Sequence, residues 1–113
     1  MRVTFHLHLD DGSGELAFEW DSDKDSANLK KHGIAFAEAA TIFQADVLTI
    51  EDPGSHGELR ELSYGRLEGD AGGSVVICVV HTDRSGATRI ISARKATPHE
   101  RKHFHVYLRK THH

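Results

Sequence analysis

Two consecutive cations, Arg94 and Lys95, stand at the end of a predicted strand, directly before a predicted helix. Side chains of this type bind anions, and arginine is suited to sites where two donors must match two phosphate oxygens. Because side chains alternate along a strand, Arg94 and Lys95 point to opposite faces of the sheet. Only one of them can therefore share a face with any given site.

The residues after these cations carry a strong signal for the start of a helix. Thr97 suits the N-cap, Pro98 suits the first helical position, and Glu100 can reach back to complete a capping box. Phe104 and Leu108 then recur at the spacing of one helical face. The sequence thus predicts where the last strand ends and where the last helix begins.

The charges of the chain are separated along its length. Residues 1–70 carry 6 Lys or Arg and 15 Asp or Glu, a balance of −9, whereas residues 71–113 carry 8 and 2, a balance of +6. A basic C-terminal third favours a polyanionic partner such as RNA or an acidic protein. The alternative is that the two halves neutralise each other across the fold.

A second motif, H-E-x-x-H at residues 99–103, is typical of a different chemistry. On a helix it places two imidazoles on one face for zinc, with the glutamate as the base. Here Glu100 has a capping role, two cations lie inside the motif, and few residues remain downstream to supply a third ligand. With 10 histidines among 113 residues, chance matches are also common. We therefore expect no metal and no other cofactor.

Length and composition predict a single globular domain that spans residues 1–113. No apolar run approaches the roughly 20 residues needed to cross a bilayer, and the N-terminus lacks the order of a signal peptide. We therefore expect a cytoplasmic protein without membrane contact. Cys78 lies in an apolar run and cannot form an internal disulfide, so we expect a small buried hydrophobic residue and not a nucleophile.

Apolar periodicity predicts a β-hairpin followed by two helices in the N-terminal half. Alternation favours strands at residues 3–9 and 16–20. Asp21 suits the N-cap of the first helix, and Gly33 suits its end. Apolar residues then recur on one face of a second helix, at Phe36, Ala39, Ala40 and Phe43.

Further strands are predicted at residues 47–51, 59–67, 75–82 and 88–95. The strand at 75–82 is apolar on both faces, which is typical of a central strand. Arg60, Tyr64 and Arg66 share one face of the strand before it. The consecutive hairpins indicate a mostly antiparallel sheet with the helices on one side, and hence an α+β fold.

Two blocks of this sequence resemble the signatures of one protein family. The first runs from Phe18 to Ile34, with Phe36, Glu38, Ala39 and Phe43 after it. The second runs from His81 to Thr97, with Glu100 and Arg101 after it. In this order and at this separation the blocks resemble those of BrnT toxins, over roughly residues 18–107. Residues 1–17 precede the usual start of the family and predict an added N-terminal strand.

The resemblance implies a RelE-like α+β fold with two N-terminal helices, a mostly antiparallel sheet and a C-terminal helix. It also implies an endoribonuclease toxin that inhibits translation. The implied partner is a BrnA-like antitoxin with a ribbon-helix-helix DNA-binding region, held with the toxin in a hetero-oligomer. The alternative is a non-catalytic module whose basic surface holds RNA or an acidic protein.

Metal-independent cleavage by the RNA 2′-hydroxyl needs a base, an acid and cations that stabilise the charged phosphorane. His81 is the candidate for proton transfer, because imidazole titrates around neutral pH. Its alternative role is that of a hydrogen-bonded histidine at the end of a core strand. Arg94 and Lys95 are each candidates for clamping the phosphate, and either can instead be a surface cation. Further candidate RNA-binding residues, each of which can instead be a plain surface cation, are Arg60, Arg66 and Arg101.

Overall fold

A six-stranded mixed sheet forms the centre of the molecule in the computed structural model, which describes residues 1–9, 11–54, 57–69 and 71–111. Its strands lie in the order β1-β2-β6-β5-β4-β3. Their bounds are β1 Arg2–His8, β2 Glu15–Asp21, β3 Leu48–Glu51, β4 Glu61–Glu68, β5 Ser74–Arg84 and β6 Ala87–Lys95. Within these ranges β2 and β6 pair in parallel and the other neighbours pair antiparallel, so the expectation of a mostly antiparallel sheet is confirmed.

The first helix, α1 (Ser22–His32), begins and ends where the sequence predicts. The Asp21 carboxylate accepts hydrogen bonds from the backbone N–H of Asp23 at 2.8 Å and of Lys24 at 3.3 Å. Gly33 ends the helix with a φ of 73°, a left-handed conformation that glycine adopts without steric cost. No helix in the described ranges is long and apolar enough to cross a membrane.

The second helix is shorter than its apolar stripe predicts. The α2 helix (Phe36–Ala40) ends before Phe43, and the chain continues as a 3-10 turn at Thr41–Gln44. Over a single turn, apolar spacing does not distinguish a 3-10 helix from an α-helix. The turn packs closely on β4, where a Cβ atom at Gly65 would lie 2.8 Å from the Cβ of Ile42. Only glycine allows this approach.

The helices do not all lie on one side of the sheet, which corrects the sequence-based expectation. On β5, Ile77 and Val79 pack in the cluster that contains α2. The alternating Val76 and Cys78 pack in a second cluster on the opposite face, with Phe104 of α3 (Pro98–Thr111). A strand that is apolar on both faces is compatible with helices on either side, so its composition does not determine where a later helix packs. We call the two sides the α2 face and the α3 face.

The N-terminal hairpin adds an edge strand to this sheet. β1 pairs with β2 in antiparallel register from Arg2 opposite Asp21 to His8 opposite Glu15. The half-buried side chains of β1 pack on the cluster of the α2 face, and they are Val3, Phe5 and Leu7. The predicted hairpin is therefore confirmed, and it extends the sheet at the edge that lies away from α3.

Candidate functional site

Arg94 and Glu100 form a bidentate ion pair between the end of β6 and the first turn of α3. The Arg94 Nη1 atom donates to Glu100 Oε1 at 2.8 Å, and Nη2 donates to Oε2 at 3.1 Å. Arg94 stands opposite Cys78 in the sheet, and both therefore lie on the α3 face. The pair fixes the guanidinium at the N-terminus of α3.

The Glu100 carboxylate also receives two further hydrogen bonds. The backbone N–H of Thr97 donates to Oε1 at 2.8 Å, while the Thr97 hydroxyl accepts from the Glu100 N–H at 3.2 Å. This is the predicted capping box. On its other side, Glu100 accepts from the Tyr64 hydroxyl of β4 at 2.6 Å. Four donors thus hold one carboxylate, and they join two strands to the helix.

These contacts fix the protonation states at the site. The hydrogen bonds from Arg94 lower the pKa of Glu100 to about 2, and the same contact raises the pKa of Arg94. Burial, together with the hydrogen bond to Glu100, raises the pKa of Tyr64. At neutral pH the site therefore holds a carboxylate, a guanidinium and a neutral phenol. A carboxylate held in this way has lost the basicity that an H-E-x-x-H zinc site requires of its glutamate.

Cys78 lies beneath this cluster as a fully buried thiol. Burial raises its pKa, which keeps the sulfur protonated and unreactive at neutral pH. The expectation of a small buried hydrophobic residue is confirmed.

Arg66 shares the α3 face with Arg94. It follows Tyr64 at the strand spacing of two residues, and its guanidinium lies 6.0 Å from the centre of the Phe104 ring. Arg66 is otherwise exposed, as is Arg101 on the first turns of α3. Arg60 precedes β4 and is half-buried, and its carbonyl accepts from the Asp52 N–H at 2.9 Å.

Lys95 belongs to the other face. It stands opposite Ile77, whose side chain packs in the cluster of the α2 face, and it is exposed at the end of β6. The expectation that Arg94 and Lys95 point to opposite faces is confirmed.

His81 is buried on the α2 face, away from Arg94. Its ring is only 5% exposed and meets the Phe43 ring edge-on at 5.3 Å. Its Nε2 atom shares a hydrogen bond of 2.7 Å with Ser63 Oγ, which lies 2.7 Å from Thr49 Oγ1. Burial lowers the pKa of His81 and favours the neutral imidazole. The structure thus places His81 as a hydrogen-bonded histidine on a core strand, the alternative that the sequence left open.

A groove of about 290 Å³ opens beside the Arg94–Glu100 pair, between α3 and the edge of the sheet. No pattern in the sequence predicted this groove. Two imidazoles from α3 form part of its wall, with ring centres 4.4 Å apart and a tilt of 51°. Its lining residues are Leu48, Ile50, Tyr64, His99, Glu100 and His103.

The H-E-x-x-H spacing brings these histidines together, as it predicts, but its glutamate turns away to Arg94. No group of three or more His, Cys, Asp or Glu residues in the described ranges is arranged to hold a metal ion. The signal that could have found the groove is the i, i+4 spacing of the two histidines, which places their imidazoles side by side on one face of α3.

Comparison with curated proteins gave no match. Residues 20–100 match the sequence model of a family described as the ribonuclease toxin, BrnT, of type II toxin-antitoxin systems. The match spans most of the chain, begins inside β2 and ends at Glu100. The chain therefore belongs to the BrnT family of ribonuclease toxins.

Proposed function

We propose that this protein is a metal-independent endoribonuclease with a RelE-like fold, and that it inhibits translation by cutting RNA bound on the α3 face. The observation that carries the proposal is the arrangement of Arg94 and Arg66 on that face, next to the start of a basic helix. Family membership supplies the reaction class. The position of the cations supplies the binding surface.

The charge of the α3 face suits a polyanion. From Pro98 to Thr111, α3 carries four Lys or Arg residues and a single acidic residue, Glu100. Glu100 is already neutralised by Arg94, so Arg66, Arg101 and Lys102 contribute the net positive charge around it. Clustered cations of this kind attract RNA phosphates and fix the register of the strand.

Arg94 has the geometry of a phosphate-binding group held in place by its neighbours. Three of the five guanidinium N–H donors bond Glu100 and the Lys95 carbonyl, the latter at 3.3 Å. About a third of the side chain is exposed, so the remaining donors can reach a ligand. A preorganised donor of this kind stabilises charge that develops on a phosphorane.

The proposed reaction uses the 2′-hydroxyl of the RNA as the nucleophile. A base removes its proton, the 2′-oxygen forms a bond to phosphorus, and the bond from phosphorus to the 5′-oxygen breaks as that oxygen gains a proton. The products are a 2′,3′-cyclic phosphate and a 5′-hydroxyl end. Because His81 is buried, we infer that it stabilises the fold and does not serve as the base.

We propose a BrnA-like ribbon-helix-helix antitoxin as the partner, in a hetero-oligomer located in the cytoplasm, where translation takes place. An inhibitor that protects the cell has to cover the cationic α3 face, so we expect acidic residues on its contact surface. RNA and the antitoxin would then compete for the same site on the α3 face.

Two observations favour the alternative of a non-catalytic binding module. The charge of Arg94 is neutralised by Glu100, and His81, the candidate for proton transfer, is buried on the other face. A protein of this kind would hold RNA on the α3 face without cutting it.

The experiment that separates these functions is incubation of purified protein with end-labelled RNA in EDTA. We expect cleavage, with 2′,3′-cyclic phosphate ends in the products. Binding without cleavage would favour the non-catalytic module, and cleavage that requires an added metal ion would contradict the metal-independent reaction.

A further inference from the structure

The groove beside the Arg94–Glu100 pair has a lining that suits one flat aromatic ligand. We propose that it binds a single nucleobase of an RNA strand, and that His99 and His103 contact this base directly. This inference rests on the proposed function, because it identifies the part of the RNA that the site holds. His103 lies beyond the family match, so this contact extends past the matched segment.

Two kinds of side chain that suit base stacking line the groove. Leu48 and Ile50 of β3 form an apolar wall, and Ile50 is 44% exposed although it is a large aliphatic side chain. His99 and His103 line the groove from α3, with their imidazole rings next to each other. Unpaired bases stack on aromatic side chains, histidine included, and apolar neighbours complete the sandwich.

Polar atoms stand at the end of the groove nearest to Arg94. The lining includes Tyr64 and Glu100, whose hydroxyl and carboxylate are hydrogen-bonded to each other at 2.6 Å. The imidazole nitrogens offer both donors and acceptors. A few polar groups in a mainly apolar pocket suit the polar edge of a base, which carries the same kinds of groups.

The far side of the histidine pair is basic. His99 and His103 also line a second concavity on α3, together with Lys102, Val106 and Lys110. The histidines thus form a ridge with an apolar groove on one side and lysines on the other. A nucleotide whose base enters the groove can place its phosphate over Lys102, which is the charge complementarity that a nucleic acid requires.

This arrangement favours RNA over the other ligands that two histidines can hold. A divalent metal would have only two protein ligands here, because Glu100 is engaged by Arg94 and the described residues supply no third ligand. An acidic peptide would be attracted by Lys102 and Lys110, but it has no flat group to fill the space between imidazoles and Ile50.

The test measures binding separately from cleavage. The probe is a fluorescent single-stranded 2′-O-methyl RNA, whose blocked 2′-oxygen prevents cleavage, and the buffer contains EDTA. We expect the double variant His99→Ala, His103→Ala to bind about 5- to 100-fold more weakly than the wild type, the loss expected for a stacked base. The variant His103→Phe should retain most of the affinity, because a phenyl ring also stacks. His8→Ala, an exposed histidine on β1, is the matched control and should bind like the wild type.

Cleavage of unmodified RNA by the same variants separates the two proposals. If the wild type cleaves RNA and the double variant binds and cleaves as well as the wild type, the groove inference is overturned and the proposed function stands. If binding depends on the histidines but no variant or wild type cleaves, the groove inference stands and the catalytic proposal fails. Histidine-dependent binding of polyglutamate in place of RNA would identify a protein-docking site and would overturn the inference.

Discussion

The bidentate contact between Arg94 and Glu100 joins the last strand to the first turn of the last helix. The same carboxylate caps α3 and accepts from Tyr64, so the contact that orients the guanidinium also fixes the helix that carries the basic surface. The stability of the fold and the proposed RNA-binding surface therefore depend on the same residue, Glu100.

Glu100→Ala should lower the free energy of unfolding by about 2–3 kcal/mol, because it removes a helix cap and leaves a partly buried guanidinium without its partner. Chemical denaturation measures this loss. Glu100→Gln, which keeps an oxygen for the cap, should lose clearly less. Equal stability of Glu100→Ala and the wild type would show that the pair is only a surface contact.

The stability of the wild type should fall as the pH drops from about 5 towards 2. The pKa of Glu100 is lowered to about 2 in the folded protein, so its contribution is complete above the ordinary carboxyl pKa and is lost as the pH falls through the folded value. Glu100→Gln cannot titrate and should show a smaller decline over this range. Thermal unfolding of both proteins as a function of pH checks the difference.

His81→Gln should reduce stability by about 1–3 kcal/mol and leave the cleavage rate of the folded protein unchanged. Stability falls because the fully buried Ser63 hydroxyl loses the hydrogen bond that it shares with the His81 ring. The pKa of His81 is lowered by burial, so its neutral form stabilises the fold above the ordinary imidazole pKa, and this contribution is lost as the pH falls below it. Loss of a general acid or base slows a reaction by about 10²-fold or more. A folded variant that cleaves that much more slowly would show that His81 takes part in the reaction.

Arg66→Ala should weaken RNA binding and make it less sensitive to salt. One lost phosphate contact to a single strand reduces the slope of log affinity against log salt by about 0.7. Lys30→Ala is a matched control, since Lys30 is an exposed cation on α1, the helix whose Asn28 bonds Ala93 of the α2-face cluster. Filter binding at several salt concentrations gives the slope for each protein. Identical slopes for Arg66→Ala and the wild type would show that Arg66 does not contact RNA.

Arg94→Ala and Arg66→Ala should each weaken antitoxin binding by at least about 1 kcal/mol, because a cation at an interface leaves its acidic partner unpaired when it is lost. Calorimetric titration at two salt concentrations measures the effect, which should shrink at high salt if the contact lies at the rim. Unchanged affinity in both variants would mean that the antitoxin binds away from the α3 face.

Local signals in the sequence predicted the elements well. The caps at Asp21 and Thr97 and the glycine at residue 33 act over a few residues, so their chemistry can be read directly from the chain. The face on which α3 packs could not be predicted, because β5 is apolar on both sides and accepts a helix on either.

The candidate site was predicted only in part for the same reason. The alternation of Arg94 and Lys95 follows from strand geometry alone, and it was correct. The position of His81 depends on which side of β5 faces Arg94, and the groove depends on how α3 approaches β3. Both are tertiary relationships that no local pattern encodes.

The central claim is that metal-independent RNA cleavage takes place on the α3 face, and single-turnover cleavage in EDTA by Arg94→Lys and Lys95→Ala tests it most directly. Lysine keeps the charge of Arg94 but cannot reproduce its bidentate geometry, so the first variant should lose about 10²- to 10³-fold in rate. Lys95→Ala, on the opposite face, should cleave like the wild type. Normal cleavage by a folded Arg94→Lys variant, together with a loss of that size in Lys95→Ala, would contradict the account and move the reaction to the α2 face.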